Sequence, residues 1–102
     1  MERLNIDYQG STEIVVVGEI DAQTAPAFAG AIARLDPDAR LNLRGCTFID
    51  SAGISCLVDA QSTCHQREGS LTLVAPSQPV IQLLNICGMI DLFDIDAMPD
   101  TV

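Results

Sequence analysis

Four consecutive residues, Ile14-Val15-Val16-Val17, are all branched at Cβ. Such side chains are stiff about χ1 and suit a pleated strand better than a helix. An unbroken apolar run of this kind reads as a strand buried on both faces. The rest of the chain must then supply neighbouring strands and a covering layer.

The neighbours are visible on both sides. Leu4-Asn5-Ile6-Asp7-Tyr8 alternates apolar and polar, as a strand with one buried face does. Gln9-Gly10-Ser11 reads as a tight turn, so residues 4–8 and 12–17 are expected to form an antiparallel hairpin. Gly18-Glu19-Ile20-Asp21 then leaves the strand. Thr24-Ala25-Pro26 opens a helix, with Thr24 as its cap and Pro26 tolerated in the first turn. Ala25, Phe28, Ala29, Ile32 and Leu35 recur at helical spacing, and Asp36-Pro37-Asp38 ends the run.

Residues 40–43 read as a third strand, and Arg44-Gly45-Cys46-Thr47 as a loop. A second helix is expected from Ile54 to about Gln66. Its inner face holds Ile54, Leu57, Val58 and Gln61, with Cys64 one turn further and Gly69 as the C-cap. Leu71–Val74 is a fourth strand. Val80, Ile81, Leu83, Leu84 and Cys87 mark a third helix, which Gly88 terminates. Ile90–Phe93 is a short final strand or an apolar plug, and residues 96–102 read as a frayed tail. This order predicts one α/β domain over residues 1–102, with its core at about 4–94. Its sheet is expected to be mixed and mainly parallel, of four to five strands, with about three helices on one face.

The charge balance narrows the partners. Five basic residues stand against 14 acidic ones, a net charge of -9. That opposes binding to nucleic acid or anionic lipid and fits a basic protein surface. No membrane span is expected, because no apolar run reaches the necessary ~18 residues. Met1-Glu2-Arg3 leads straight into the first strand pattern, so no export signal is visible and a cytoplasmic location is expected. Cys46, Cys56, Cys64 and Cys87 lack C-x-x-C spacing, and His65 has no nearby ligand set. Neither a metal site nor a cofactor is expected. The thiols are expected to be reduced and buried. Cys56 and Cys64, about 12 Å apart by helical rise, cannot bridge within their helix, while a redox link from Cys87 stays open.

The chemistry concentrates in Phe48-Ile49-Asp50-Ser51-Ala52-Gly53-Ile54. Here a small hydroxyl residue stands where a strand hands over to a helix N-terminus. The first N–H groups of a helix lack internal partners and the dipole favours negative charge there. A phosphate on Ser51 would be well placed, and Gly53 allows close approach to the backbone. Asp50 and Ser51 are equally the ordinary residues of a helix N-cap.

These pieces in this order resemble the STAS domain family, and most of all its stand-alone bacterial anti-sigma factor antagonists. The resemblance spans about residues 4 to 94. Its carriers are Gly18-Glu19-Ile20-Asp21 with Thr24 and Ala25, Leu41-Asn42-Leu43, and Phe48 to Ile54. Gly69-Ser70-Leu71 and Leu84-Asn85-Ile86-Cys87-Gly88-Met89 complete them. The resemblance implies that Ser51 is a phosphate acceptor and that the domain is not itself an enzyme. It implies that the unphosphorylated form binds an anti-sigma factor and frees the sigma factor. That partner is also a serine kinase with a histidine-kinase-like ATP site, and a metal-dependent serine phosphatase reverses the modification. The implied partner surface comprises Asp21, Thr24, Asp50, Ser51, Ala52 and Gly53. Asp21 reads equally as a turn residue, and Thr24 as a helix cap.

Two residues depart from the family pattern. Ala52 stands where many members carry a second hydroxyl, and Ile54 where Leu is usual. Ser55 is a secondary acceptor candidate. An alternative of the same fold is a non-switching scaffold in a stress-signalling complex, or the small cytosolic subunit of a transporter. A small-molecule or nucleotide binder is a further alternative, against which the acidic balance and the lack of a Gly-rich phosphate loop count.

Overall fold

The β-branched run lies inside a five-stranded sheet in a computed structural model that describes residues 3–97. The strands are β1 (Leu4–Gln9), β2 (Glu13–Ile20), β3 (Ala39–Ile49), β4 (Leu71–Val74) and β5 (Asp94–Asp96). The helices are α1 (Ala25–Ala33), α2 (Ser51–Gln66) and α3 (Gln78–Ile86). Strand order follows chain order, with β1 antiparallel to β2 and every later pair parallel.

Sequential order has a direct consequence. Each parallel crossover steps the same way, and crossovers of one hand place α1, α2 and α3 on one face. The core forms there, from Ile14, Val16 and Ile20 of β2, Leu41 and Leu43 of β3, and Leu71 and Leu73 of β4. Phe28, Leu57 and Leu84 close on it from the three helices. The second face has no helical layer. Burial of the β-branched run on both sides is therefore not what forms: Val15 is half-buried and Val17 is 49% exposed.

On that open face Arg40 ties the strands together. Its guanidinium lies 3.4 Å from Glu13 on β2 and 3.0 Å from Asp96 on β5. The hydrogen bond to Asp96 raises the Arg40 pKa above its ordinary value. The side chain thus reaches across β4 to the edge strand, and Asp96 also accepts Ala75 N–H at 2.7 Å through its backbone oxygen. Asp96 is a paired strand residue and not part of a frayed tail; residues 98–102 lie outside the described residues.

The other departures from expectation are local. The hairpin strands run longer than read, β2 reaching Ile20. β3 continues through residues 44–47, expected as a loop, because it carries two bulges. Val15 and Val17 oppose Asn42 and Gly45, and the adjacent Gly18 and Glu19 oppose Cys46 and Phe48. Each extra residue shifts the inward phase, so beyond Ala39, Leu41 and Leu43 the buried positions are Cys46 and Ile49 and the period of two is lost. α2 starts at Ser51, a turn before Ile54. At its far end Glu68, not Gly69, takes the left-handed conformation, with φ +63°. Ile90–Leu92 is a 3-10 turn and Phe93 is buried, so this segment is a plug, with the final strand after it. Thr24 makes no side-chain cap at α1.

The cysteines divide by position. Cys46 and Cys64 are buried, Cys56 is half-buried, and all four are free. Cys87 follows the last turn of α3 and is exposed, contrary to expectation. Burial pushes the thiols of Cys46, Cys56 and Cys64 above their ordinary pKa.

Two measurements follow. Gly18 has φ +121° and a Cβ there would stand 2.1 Å from the Arg3 carbonyl oxygen, whereas Gly10, at φ +72°, has open space around it. Gly18→Ala is expected to cost about 3 kcal/mol or more in urea unfolding, and Gly10→Ala about 1 kcal/mol. For the thiols, a disulfide reagent near neutral pH is expected to label Cys87 in the native protein, and Cys46 and Cys64 only on unfolding. Because folding raises those pKa values, their contribution to stability is complete below the ordinary thiol value of 9.0 and is lost as pH rises beyond it.

Candidate functional site

The site is assembled by the register of two parallel strands. Ile20 pairs with Ile49 at the C-terminal ends of β2 and β3, and the Asp50 N–H donates to the Ile20 carbonyl at 3.2 Å. The loop after β2 and the start of α2 are therefore neighbours. Asp21 thus directly follows the residue that Asp50 bonds to, and Thr24 lies in the same loop.

Asp50 is the cap of α2. Its backbone is extended, at φ -121° and ψ -167°, and its Oδ1 accepts the N–H groups of Ala52 at 2.9 Å and Gly53 at 3.4 Å. Ser51 is the first helical residue and is exposed. Its Oγ makes no hydrogen bond among the described residues. Gly53 is buried against the strand ends: a Cβ there would lie 2.6 Å from Ile49 Cγ1 and 2.8 Å from Ile20 Cγ2. The helix start is pressed onto the sheet, which turns Ser51 outward.

Asp21 is held within its own loop. Its Oδ1 accepts the N–H groups of Gln23 at 3.0 Å and Thr24 at 3.1 Å, and its side chain is only 18% exposed. Thr24 Oγ donates to the Glu19 carbonyl at 2.8 Å and accepts the Asp21 N–H at 2.9 Å. Thr24 thus braces the loop from inside rather than capping α1.

Sequence reasoning missed the residue that binds this loop to β1. Arg3 pairs with Asp21 and, at 2.9 Å, with Glu19; its Nη1 donates to Gln23 Oε1 at 2.6 Å. Counting along the hairpin would have found it, since Leu4 opposes Gly18 and so Arg3 lies next to Glu19. Phe48 was also missed as a surface residue. It sits two positions before Asp50, opposite Glu19, and is 47% exposed.

A separate groove of about 210 Å³ runs between α1 and α2, lined by Ile32, Cys56, Ala60 and Cys64 among others. Neither Ser51 nor Asp21 lines it. Among the described residues no cluster of His, Cys, Asp or Glu is arranged to hold a metal ion, and no helix is long and apolar enough to cross a membrane.

Comparison with known proteins identifies the family and the fold. The family model described as "Mlab, STAS domain" matches residues 5–94. The chain belongs to the STAS family. Among its relatives, the anti-sigma-B factor antagonist of Bacillus subtilis is 29% identical over 100 residues, covering 92% of each chain. An anti-sigma factor antagonist from Mycobacterium paratuberculosis superposes with a TM-score of 0.76 at 24% identity, over 95% of this chain and 86% of that one. The Bacillus cell fate determinant SpoIIAA, solved in its phosphorylated form, superposes with a TM-score of 0.66 at 15% identity, over 90% and 89% of the two chains. The five-stranded mixed sheet with three helices is the STAS fold.

Two substitutions test the local architecture of this STAS domain. Asp50→Ala removes the acceptor of two helix N–H groups and is expected to cost about 1 kcal/mol in urea unfolding, with Asp50→Asn near wild type. Thr24→Val leaves the Glu19 carbonyl and Asp21 N–H unpartnered, and is expected to cost about 1–3 kcal/mol and to speed amide exchange at Gln23 and Thr24.

Proposed function

We propose that this STAS protein is an anti-sigma factor antagonist switched by phosphorylation of Ser51. In its unphosphorylated form it binds an anti-sigma factor and frees the sigma factor. That anti-sigma factor is also a serine kinase of the histidine-kinase-like ATPase type, and a metal-dependent serine phosphatase reverses the modification. The observation that carries the reading is the Ser51 hydroxyl, exposed and unpartnered among the described residues, beside the Asp21–Thr24 loop. The relationship to the B. subtilis antagonist, over nearly the whole chain, supports the role. SpoIIAA supports the modification by analogy alone.

The domain acts as ligand and substrate rather than as catalyst. Ser51 presents Oγ to the kinase-bound nucleotide. The new Oγ–P bond forms as the bond between the γ-phosphorus and the β,γ-bridging oxygen of ATP breaks. ADP leaves with that electron pair, and the hydroxyl proton passes to a base of the kinase. Binding uses the exposed surface around Ser51, with half-buried Ala52 and buried Gly53 setting how closely a partner approaches. Exposed Phe48 supplies an apolar anchor at its margin. Asp21 and Thr24 act chiefly by shaping the loop that frames it.

Phosphate adds about -1.5 to -2 charges where the partner expects a neutral hydroxyl. Asp50 already occupies the N–H groups of Ala52 and Gly53, so the helix start offers the phosphate its dipole but not those two donors. Disrupting one close charged contact costs about 2–5 kcal/mol, or roughly 30- to 5,000-fold in affinity.

The test incubates the purified protein with candidate anti-sigma kinases from the same genome, ATP and Mg²⁺, and follows intact mass. One phosphate is expected on the wild type and none on Ser51→Ala. If no kinase adds phosphate while one partner ATPase binds tightly, the non-switching scaffold, or the transporter subunit, replaces this reading.

A further inference from the structure

We propose that Arg3 senses the charge on Ser51. It clamps the Asp21 loop while Ser51 is a hydroxyl, and turns toward the phosphate once Ser51 is phosphorylated, loosening that loop. The inference deepens the proposed function and rests on Ser51 being the acceptor.

Arg3 is fixed at its backbone, so any change of partner must come from its side chain turning. Its carbonyl accepts the Glu19 N–H at 2.9 Å, and Gly18 gives the room for that approach. The guanidinium uses every nitrogen: Nε and Nη2 donate to Glu19 Oε1 at 3.1 and 2.9 Å, Nη1 to Gln23, and Nη2 also to Asp21. The side chain therefore reaches from the β1 side of β2 to the loop that follows β2. Ser51 follows β3, the next strand over, and neighbouring strands lie about 4.8 Å apart. The next basic residue along the chain is Arg34, at the far end of α1.

The charges around Ser51 are otherwise negative: Glu19 on β2, Asp21 on the loop and Asp50 at the helix cap. With Asp50 already capping the helix N–H groups, a phosphate on Ser51 needs a cation, and the Arg3 head group already stands at the Asp21 loop, about one strand spacing from the chain that carries Ser51. Both a phosphate and a carboxylate accept two parallel N–H bonds from a guanidinium, and the phosphate is favoured because it carries up to twice the charge. As Arg3 turns, the Asp21 carboxylate loses its counter-charge and the loop loses its tie to β1. Phosphorylation thereby changes both the serine and the adjoining loop with one side-chain movement. Arg3 is a positioning residue in this scheme, since it acts on the partner surface through Asp21.

The experiment installs phosphoserine at position 51 during biosynthesis with a suppressor tRNA, so no kinase is needed. Two quantities are read in the wild type, Arg3→Gln and Arg3→Lys. The first is the second pKa of the phosphate by phosphorus NMR, which for free phosphoserine is about 6. Arg3→Gln is expected to raise it by about half a unit, and Arg3→Lys by less. The second is amide exchange at Gln23 and Thr24. Phosphate is expected to speed it about threefold or more in the wild type. In Arg3→Gln exchange is already fast, and phosphate adds little. A pKa that Arg3→Gln does not move overturns the contact, and exchange that phosphate does not move overturns the release. Either failure leaves the kinase experiment on Ser51 standing, whereas failure of that experiment leaves this coupling intact as a property of the fold.

Discussion

Everything at the candidate site depends on how far β2 and β3 stay paired. β4 opposes only residues 39–42 of β3, yet β3 continues to Ile49 alongside β2. That extension carries the chain past the rest of the sheet before α2 begins. The last link, from Asp50 N–H to the Ile20 carbonyl, sets the α2 start against the β2 loop. The two bulges cancel in phase, so Ile49 points inward like Leu43, but together they advance β3 by two residues and bring Ile49, rather than Thr47, opposite Ile20. Gly53 then completes the junction, because only a residue without Cβ lets the first turn of α2 rest on Ile20 and Ile49.

The electrostatics of the site are more balanced than a net charge of -9 suggests. Asp50 spends its carboxylate on helix N–H groups, and Asp21 spends one oxygen on loop N–H groups and the other on Arg3. The structure has a surface whose carboxylates are engaged, leaving the Ser51 hydroxyl as the group with no partner among the described residues. New charge there competes for existing partners rather than adding to loose repulsion.

Much of this was legible in the chain. The alternation in residues 4–8 and the helical spacing from Ala25 to Leu35 rest on burial of one face, a pattern that survives without tertiary knowledge. The order of elements carried the fold, and the Asp50–Gly53 string marked the candidate site. What could not be read depends on pairing between distant segments. β3 looked like a loop at Arg44–Thr47 because bulges erase its period. Val17 looked buried because side-chain type does not tell which sheet face lacks a layer. Thr24 looked like a cap because its bond to the Glu19 carbonyl exists only once the loop has closed. Arg3 had no assigned role until the hairpin register placed it beside Glu19.

Strand order identical to chain order also bears on how the molecule is made. Every strand pairs with the one before it, so each new piece of sheet closes only the loop between neighbours, and the entropy of distant closure is never spent. Arg3, Glu19, Asp21, Thr24, Asp50 and Ser51 all belong to the first half of the chain. The surface they form is encoded before β4 leaves the ribosome. The segment from β4 onward, with α3 and β5, supports that surface from outside it. Change there is expected to tune lifetime and stability and to leave the residues of that surface in place.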